Sequence, residues 1–428
     1  MRRKFIILLP AFFFFTAIVQ AQSTVQRNTL YAAYPVGKDR IIAQTFRSEP
    51  YPTAYQVLLR QHGIDVMIEI LDSSNKVLFT QDNPNGRFGE ELLHFRIPAN
   101  QHFTFRVVPY DDNSNPDSGS VSFYIRQYAQ TAAAEYERFQ TARKKMPEPI
   151  CNTSDIDHFW EAWDKLKSCK SAYDSLVCLQ HYYIDRGSPG LDIFRKDGSF
   201  DAFSLLNAVR DKASEYVGIR AKTAFAKQAA PQLKAVFEKF SQLYTPFKPV
   251  RVCFPIGIFE TGGIAMDGYV IIGTELTTSG DTGKIPMRIR GIVAHESVHL
   301  QQASALDSNA VVCVQLQRAL REGSANFIGE LLSGTSNYNF VNQYGLAHEQ
   351  ALWNEFKSTL CYPSAEKWLY NAATTKDRPA DLGYFIGYQI TKHYYDNSPD
   401  KRRAIAEIIE CTDPLSFLIK SGYDKRWR

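Results

Sequence analysis

No Cys-x-x-Cys pair occurs among the seven cysteines, Cys151, Cys169, Cys178, Cys253, Cys313, Cys361 and Cys411, so a cysteine zinc cluster is not indicated. There is no glycine-rich phosphate loop of the Walker type and no Gly-x-Ser-x-Gly elbow, and nothing local supports a Cys–His nucleophile. Internal repeats and low-complexity tracts are absent. Excess charge is lacking too. The chain has 49 Lys+Arg against 45 Asp+Glu, and without Arg2, Arg3 and Lys4 the balance is 46 − 45 = +1. That excludes any charge-based argument for a nucleic acid or an anionic membrane as partner. Hydrophobic residues at 44% and charged residues at 22% exclude wholesale disorder, collagen and coiled coil.

Long apolar runs are missing as well, with one exception at residues 5–19, which is short for a membrane span of roughly 20 residues. Arg2-Arg3-Lys4 precedes this run, and Val19-Gln20-Ala21 ends on a small residue. This is the pattern of a signal peptide over residues 1–21, cleaved before Gln22. No Cys follows the cleavage site, so there is no lipobox. The expectation is a soluble exported protein, periplasmic or extracellular, with no transmembrane segment in its 428 − 21 = 407 mature residues. Export permits disulfides, but seven is an odd number and the spacing assigns no pairing.

Residues 22–128 read as β structure. Residues 65–71, 103–108 and 121–125 carry strand-like patterns, separated by turn-forming clusters at 72–75, 82–86 and 111–116. Short strands at this spacing predict an antiparallel β-sandwich. The acidic turns offer a possible Ca²⁺ site. Residues 129–150 are Ala- and charge-rich, predict a helix, and end at Pro147-Glu148-Pro149, a linker. From 151 to 428 the spacing is mainly helical. Residues 250–277 are the exception, reading as strands around the turn Glu260-Thr261-Gly262-Gly263. The fold class is therefore α+β, with an N-terminal sandwich followed by a mainly helical domain that holds a small sheet.

One motif dominates the second part: His295-Glu296-Ser297-Val298-His299. On a helix, residues four apart share a face, so both imidazoles can close on one Zn²⁺. Glu296, one residue on from the first imidazole, can hold the metal's water without ligating. Ile289, Ile292, Val293, Val298 and Leu300 mark a buried helix, on which two His and a Glu need partners. The metzincin continuation fails, because Gln302 and Ala305 stand where Gly and His would be. A third ligand must then come from a second helix. Glu322, in the run LREGSANF, is favoured because Gly323 and Ala325 allow close helix approach; Glu330 is its rival. Asn326, one turn after Glu322, could accept a hydrogen bond from a ligand imidazole. Gly383 and Gly387 form a packing strip beside Tyr384 and Tyr388, either of which could stabilise an oxyanion, with Tyr388 preferred.

The runs GTEL (273–276), IVAHESVHLQQ, LREGSANFIGELLSG, ADLGYFIGYQITKHYYD and YYIDRGSPGLDIF (182–194) resemble a bacterial domain family of unknown function, labelled predicted zinc-dependent proteases. The resemblance covers about 151–428. It implies a zincin-like, gluzincin-type fold with HExxH plus a downstream Glu: His295, His299 and Glu322 as ligands of one Zn²⁺, and Glu296 as general base. The family commonly carries Asp where Asn326 stands, which implies weaker support around the ligands here. By analogy with gluzincins, Gly262, Gly263, Ala265 and Met266 would form an edge strand that binds a peptide backbone. The order of strands and turns in 22–128, including LDSSNKVLF and DNPNGRFGEE, resembles pre-peptidase C-terminal β-sandwiches. The expectation is an exported zinc metallopeptidase acting on a peptide or protein substrate. The alternative is an inactive zincin-fold envelope or surface protein working in binding or assembly.

Overall fold

The computed structural model describes residues 24–427, apart from 112–113, 146–149, 197–199, 309 and 337–338. The expected signal peptide and the Pro147–Pro149 end of the linker lie outside the described residues. The chain divides into two units. Residues 1–82 and 91–128 make the first; residues 83–90 and 129–428 make the second. Among the described residues, no helix is long and apolar enough to cross a membrane.

The first unit carries eight strands: β1 (Leu30–Gly37), β2 (Ile42–Arg47), β3 (Thr53–His62), β4 (Val66–Asp72), β5 (Val77–Gln81), β6 (Glu90–Ile97), β7 (His102–Pro109) and β8 (Ser118–Gln127). They form two four-stranded sheets, ordered β1-β8-β3-β6 and β2-β7-β4-β5. Alternation decides which side chains go inside. Tyr55, Val57 and Leu59 of β3 pack with Phe103, Phe105 and Val107 of β7, and Phe123 and Ile125 of β8 join them. This is the expected antiparallel sandwich. The expected calcium turns show no cluster of metal-ligand spacing among the described residues. Asp72 instead spends its Oδ1 on its own turn, accepting from Ser74 N at 2.8 Å and Lys76 N at 3.0 Å.

The second unit is mainly helical around a small mixed sheet. Its strands are β9 (Cys151–Asn152), β10 (Arg251–Cys253), β11 (Gly263–Met266) and β12 (Tyr269–Ile272), ordered β11-β12-β10-β9. β11 and β12 pair antiparallel, so β11 is the edge strand. The hairpin reverses at Asp267–Gly268, both at positive φ, rather than at the expected turn 260–263. Three helices build the core beside this sheet: a motif helix Ile285–His299, a returning helix Val314–Ser333 and a closing helix Leu382–Asn397. Ala294 and Val298 of the first pack with Ala325, Ile328 and Leu332 of the second and with Phe385, Ile386 and Ile390 of the third. A disulfide joins Cys313, just before the returning helix, to Cys361.

Candidate metal centre

The motif helix begins with Pro286 in its first turn, where a missing N–H costs nothing. It lies against the returning helix at Gly329, where an added Cβ would stand 3.1 Å from His295 N and 3.2 Å from its Cα. Sequence reasoning credited Gly323 with this approach. Gly323 instead faces Gly387 and Tyr388 of the closing helix, so it seats Glu322 from behind.

These contacts bring three expected ligands together. His295 Nε2 and His299 Nε2 are 3.0 Å apart, and Glu322 Oε2 lies 3.2 Å from the latter and 3.5 Å from the former. Four donors placed tetrahedrally at roughly 2.0–2.1 Å from a zinc ion stand roughly 3.3–3.4 Å from one another. The donor set therefore fits zinc in both chemistry and spacing. His295, His299 and Glu322 are the only group of three metal-type side chains with such spacing among the described residues. Burial opposes a charge on Glu322, but hydrogen bonds from His295 and His299, with their charge, hold its carboxyl far below the usual range. Burial likewise works against a charged His299. The Glu322 carboxylate outweighs it and, with Glu296 and Gln302, raises the pKa of that imidazole.

Two supporting residues escaped the sequence reading. Gln302 donates to Arg321 O at 2.8 Å and to Ser324 Oγ at 2.9 Å, which fixes its amide nitrogen as the donor end. Its Oε1, 2.7 Å from His299 Nδ1, must then accept, so Nδ1 carries a proton and Nε2 is the ring atom turned toward His295 and Glu322. The sequence hint was the spacing from His299 to Gln302 in HLQQ. The other residue is Tyr370, whose hydroxyl donates to Glu322 Oε1 at 2.9 Å. Tyr370 sits at φ 58° and Asp381 at φ 62°, and the two brace each other through Tyr370 N and Asp381 Oδ1 at 2.6 Å. Burial and the Glu322 charge push the Tyr370 phenol up to about 12, so it stays a donor. It lies 48 residues beyond Glu322 in an irregular segment, where no periodic pattern marks it.

The site opens into a cleft of about 970 Å³. Its lining includes Gly262, Gly263, Ile264 and Ala265 together with Glu296, Tyr370 and Tyr384; Met266 is not among the lining residues. A Cβ on Gly263 would come 3.2 Å from Glu296 Oε1, so glycine lets the edge strand pass directly over the proposed base. Tyr384, not Tyr388, reaches the cleft. Tyr388 donates to Glu330 Oε2 at 3.1 Å in a separate small cavity that it shares with Asn326 and His295. In that cavity His295 Nδ1 is buried without a hydrogen-bond partner, and Asn326 is not bonded to it. Glu330 is thereby engaged away from the three ligand atoms.

The motif helix and the returning helix thus bring together three side chains that could hold a metal ion, close to the edge strand β11. Residues 255–410 match a family described as "Predicted Zn-dependent protease (DUF2268)". No curated protein matches the chain. Among solved structures, the chain is similar to the pre-peptidase C-terminal domain of a collagenase from Bacillus anthracis. Identity is 16% over 23% of this chain and 89% of that one, with a TM-score of 0.19. It is also similar to a structure of CBM51-2 in complex with GlcNAc and INT domains from Clostridium perfringens ZmpB, at 10% identity over 38% and 42% of the two chains, with a TM-score of 0.17.

Proposed function

We propose that the second unit is a zinc-dependent peptidase and that Glu296 is its general base. The observation that carries this reading is the 3.0–3.5 Å triangle of His295, His299 and Glu322 donor atoms beside a base with no hydrogen-bond partner among the described residues. When bound, zinc would lower the pKa of a water and polarise the scissile carbonyl. The chain's own residues do the rest. β11 holds the substrate backbone extended by main-chain pairing at the sheet edge. Glu296, against Gly263, takes the water's proton and returns it to the leaving amine. Tyr384, which also lines the cleft, donates toward the carbonyl oxygen as it gains charge. Gln302 and Tyr370 keep the ligand atoms aimed. The protein acts after export, cleaved at residue 21, and the Cys313–Cys361 disulfide supports an oxidising compartment.

The test is metal analysis beside a peptide-library digest. Wild type should carry about one zinc per chain, and His295→Ala and His299→Ala should lose it. Glu296→Gln should keep zinc and fold while losing hydrolysis by at least about 100-fold. Full zinc in the histidine variants, or undiminished turnover in Glu296→Gln, would overturn the reading.

A further inference from the structure

The cleft walls carry three arginines, Arg288, Arg318 and Arg321, against two carboxylates, Glu296 and Glu322. Neither carboxylate pairs with any of them. Arg318 stands four residues before Glu322 on the same helix, a spacing at which such side chains meet. Glu322 is instead taken by His295, His299 and Tyr370. Arg288 is tied down, donating to Thr277 O at 2.9 Å and Ser279 O at 2.7 Å. The Arg318 and Arg321 guanidiniums have no hydrogen-bond or ion-pair partner among the described residues. Arg321 contributes its carbonyl to Gln302, which anchors its backbone one residue from Glu322.

Arg318 is exposed and Arg321 half-buried on the cleft wall, so both guanidiniums are open to a ligand, and no protein carboxylate neutralises either among the described residues. A metal ion adds further positive charge to the same wall, and the self-repulsion is relieved by an anionic ligand. A guanidinium presents its donors as a planar fork matched to a carboxylate, which it binds with two parallel hydrogen bonds. The edge strand already supplies side-chain-independent holding of a peptide, so it leaves sequence selection to other groups.

We propose that Arg318 and Arg321 form a carboxylate subsite, and that the substrates of this cleft are peptides carrying a carboxylate close to the scissile bond. This inference rests on the peptidase reading above. The carboxylate is either an Asp or Glu side chain within the chain or the terminal α-carboxylate. The first source makes the protein an endopeptidase for acidic segments, the second a carboxyl-end exopeptidase.

The experiment uses the full-length zinc-loaded protein and three matched fluorogenic peptides: an acidic one with an amidated end, its Asn/Gln counterpart with an amidated end, and that neutral peptide with a free end. One of the two carboxylate-bearing peptides should exceed the neutral amide in kcat/KM by roughly 10- to 100-fold, the range of a charge-assisted hydrogen bond. Which one exceeds it identifies the source. The preference should shrink as salt is raised, and in Arg318→Gln/Arg321→Gln the ratio should fall to about one. Equal cleavage of all three peptides by wild type, or a ratio unchanged in the double variant, overturns the subsite while leaving the peptidase intact. Binding of the same peptides to zinc-loaded Glu296→Gln, read by fluorescence anisotropy, gives a second arm. No cleavage by wild type, with preferential binding of a carboxylate peptide, would sink the peptidase reading and retain the subsite. No preference in either arm would sink the subsite.

Discussion

Glu322 and Glu330 lie on one helix eight residues apart, or about 12 Å along its axis, and only Glu322 points at the paired imidazoles. Glu322→Ala should therefore abolish tight zinc binding, whereas Glu330→Ala, which removes only the acceptor of the Tyr388 hydroxyl, should leave metal affinity nearly unchanged. Tyr370→Phe is the finer probe. It keeps the ring and deletes the donor to Glu322 Oε1, and it should weaken zinc by roughly 10- to 100-fold, as loss of a ligand's hydrogen-bond partner does. Competition with a chromophoric chelator ranks all three variants. A Glu330→Ala protein that loses metal while Glu322→Ala keeps it would reverse the ligand assignment.

Between the residue and the whole lies the segment that delivers β11 to the cleft. Glu275, fully buried, accepts from Gly257 N at 2.8 Å and from Phe259 N at 3.2 Å. Phe259 itself sits at φ 65°, so this carboxylate fixes a strained stretch just ahead of the edge strand. Burial raises the Glu275 pKa to about 7 against the backbone bonds that favour its ion. A carboxyl whose pKa is raised on folding binds its proton more tightly in the native state. Its contribution to stability is fully present below its unfolded pKa and is lost as pH rises through about 7. Wild type should therefore lose stability relative to Glu275→Gln between about pH 4.5 and 7, by an amount on the order of 3 kcal/mol. Denaturant melts of both proteins across that window measure the difference. Parallel pH dependences in the two would remove Glu275 as the cause.

At the scale of the molecule, much of this architecture could be read in the sequence. The reason is that its strongest patterns are local: the alternation at 103–107, the apolar helix around HESVH, the Gly-Tyr repeat at 383–388. His295, His299 and Glu322 converge as the motif and its returning helix require. The misses are contacts that no local pattern encodes. Tyr370 reaches the site from an irregular loop, and Tyr388 turns to Glu330 because packing, not spacing, decides which Tyr faces the cleft. The three donor side chains and the core around the motif helix both lie within residues 151–428, which should therefore fold and bind zinc alone, with helical circular dichroism. An unfolded fragment would show that the core extends beyond that boundary. The crossing of the returning and closing helices has a wider consequence. A Cβ on Gly387 would collide with Ala319 O, and one on Gly323 with Tyr388 N, immediately behind Glu322. A single added methyl group there would pry the two rods apart like a wedge and carry the carboxylate off its mark. A descendant of this protein could thus keep every metal-binding side chain in its sequence and still have lost its metal.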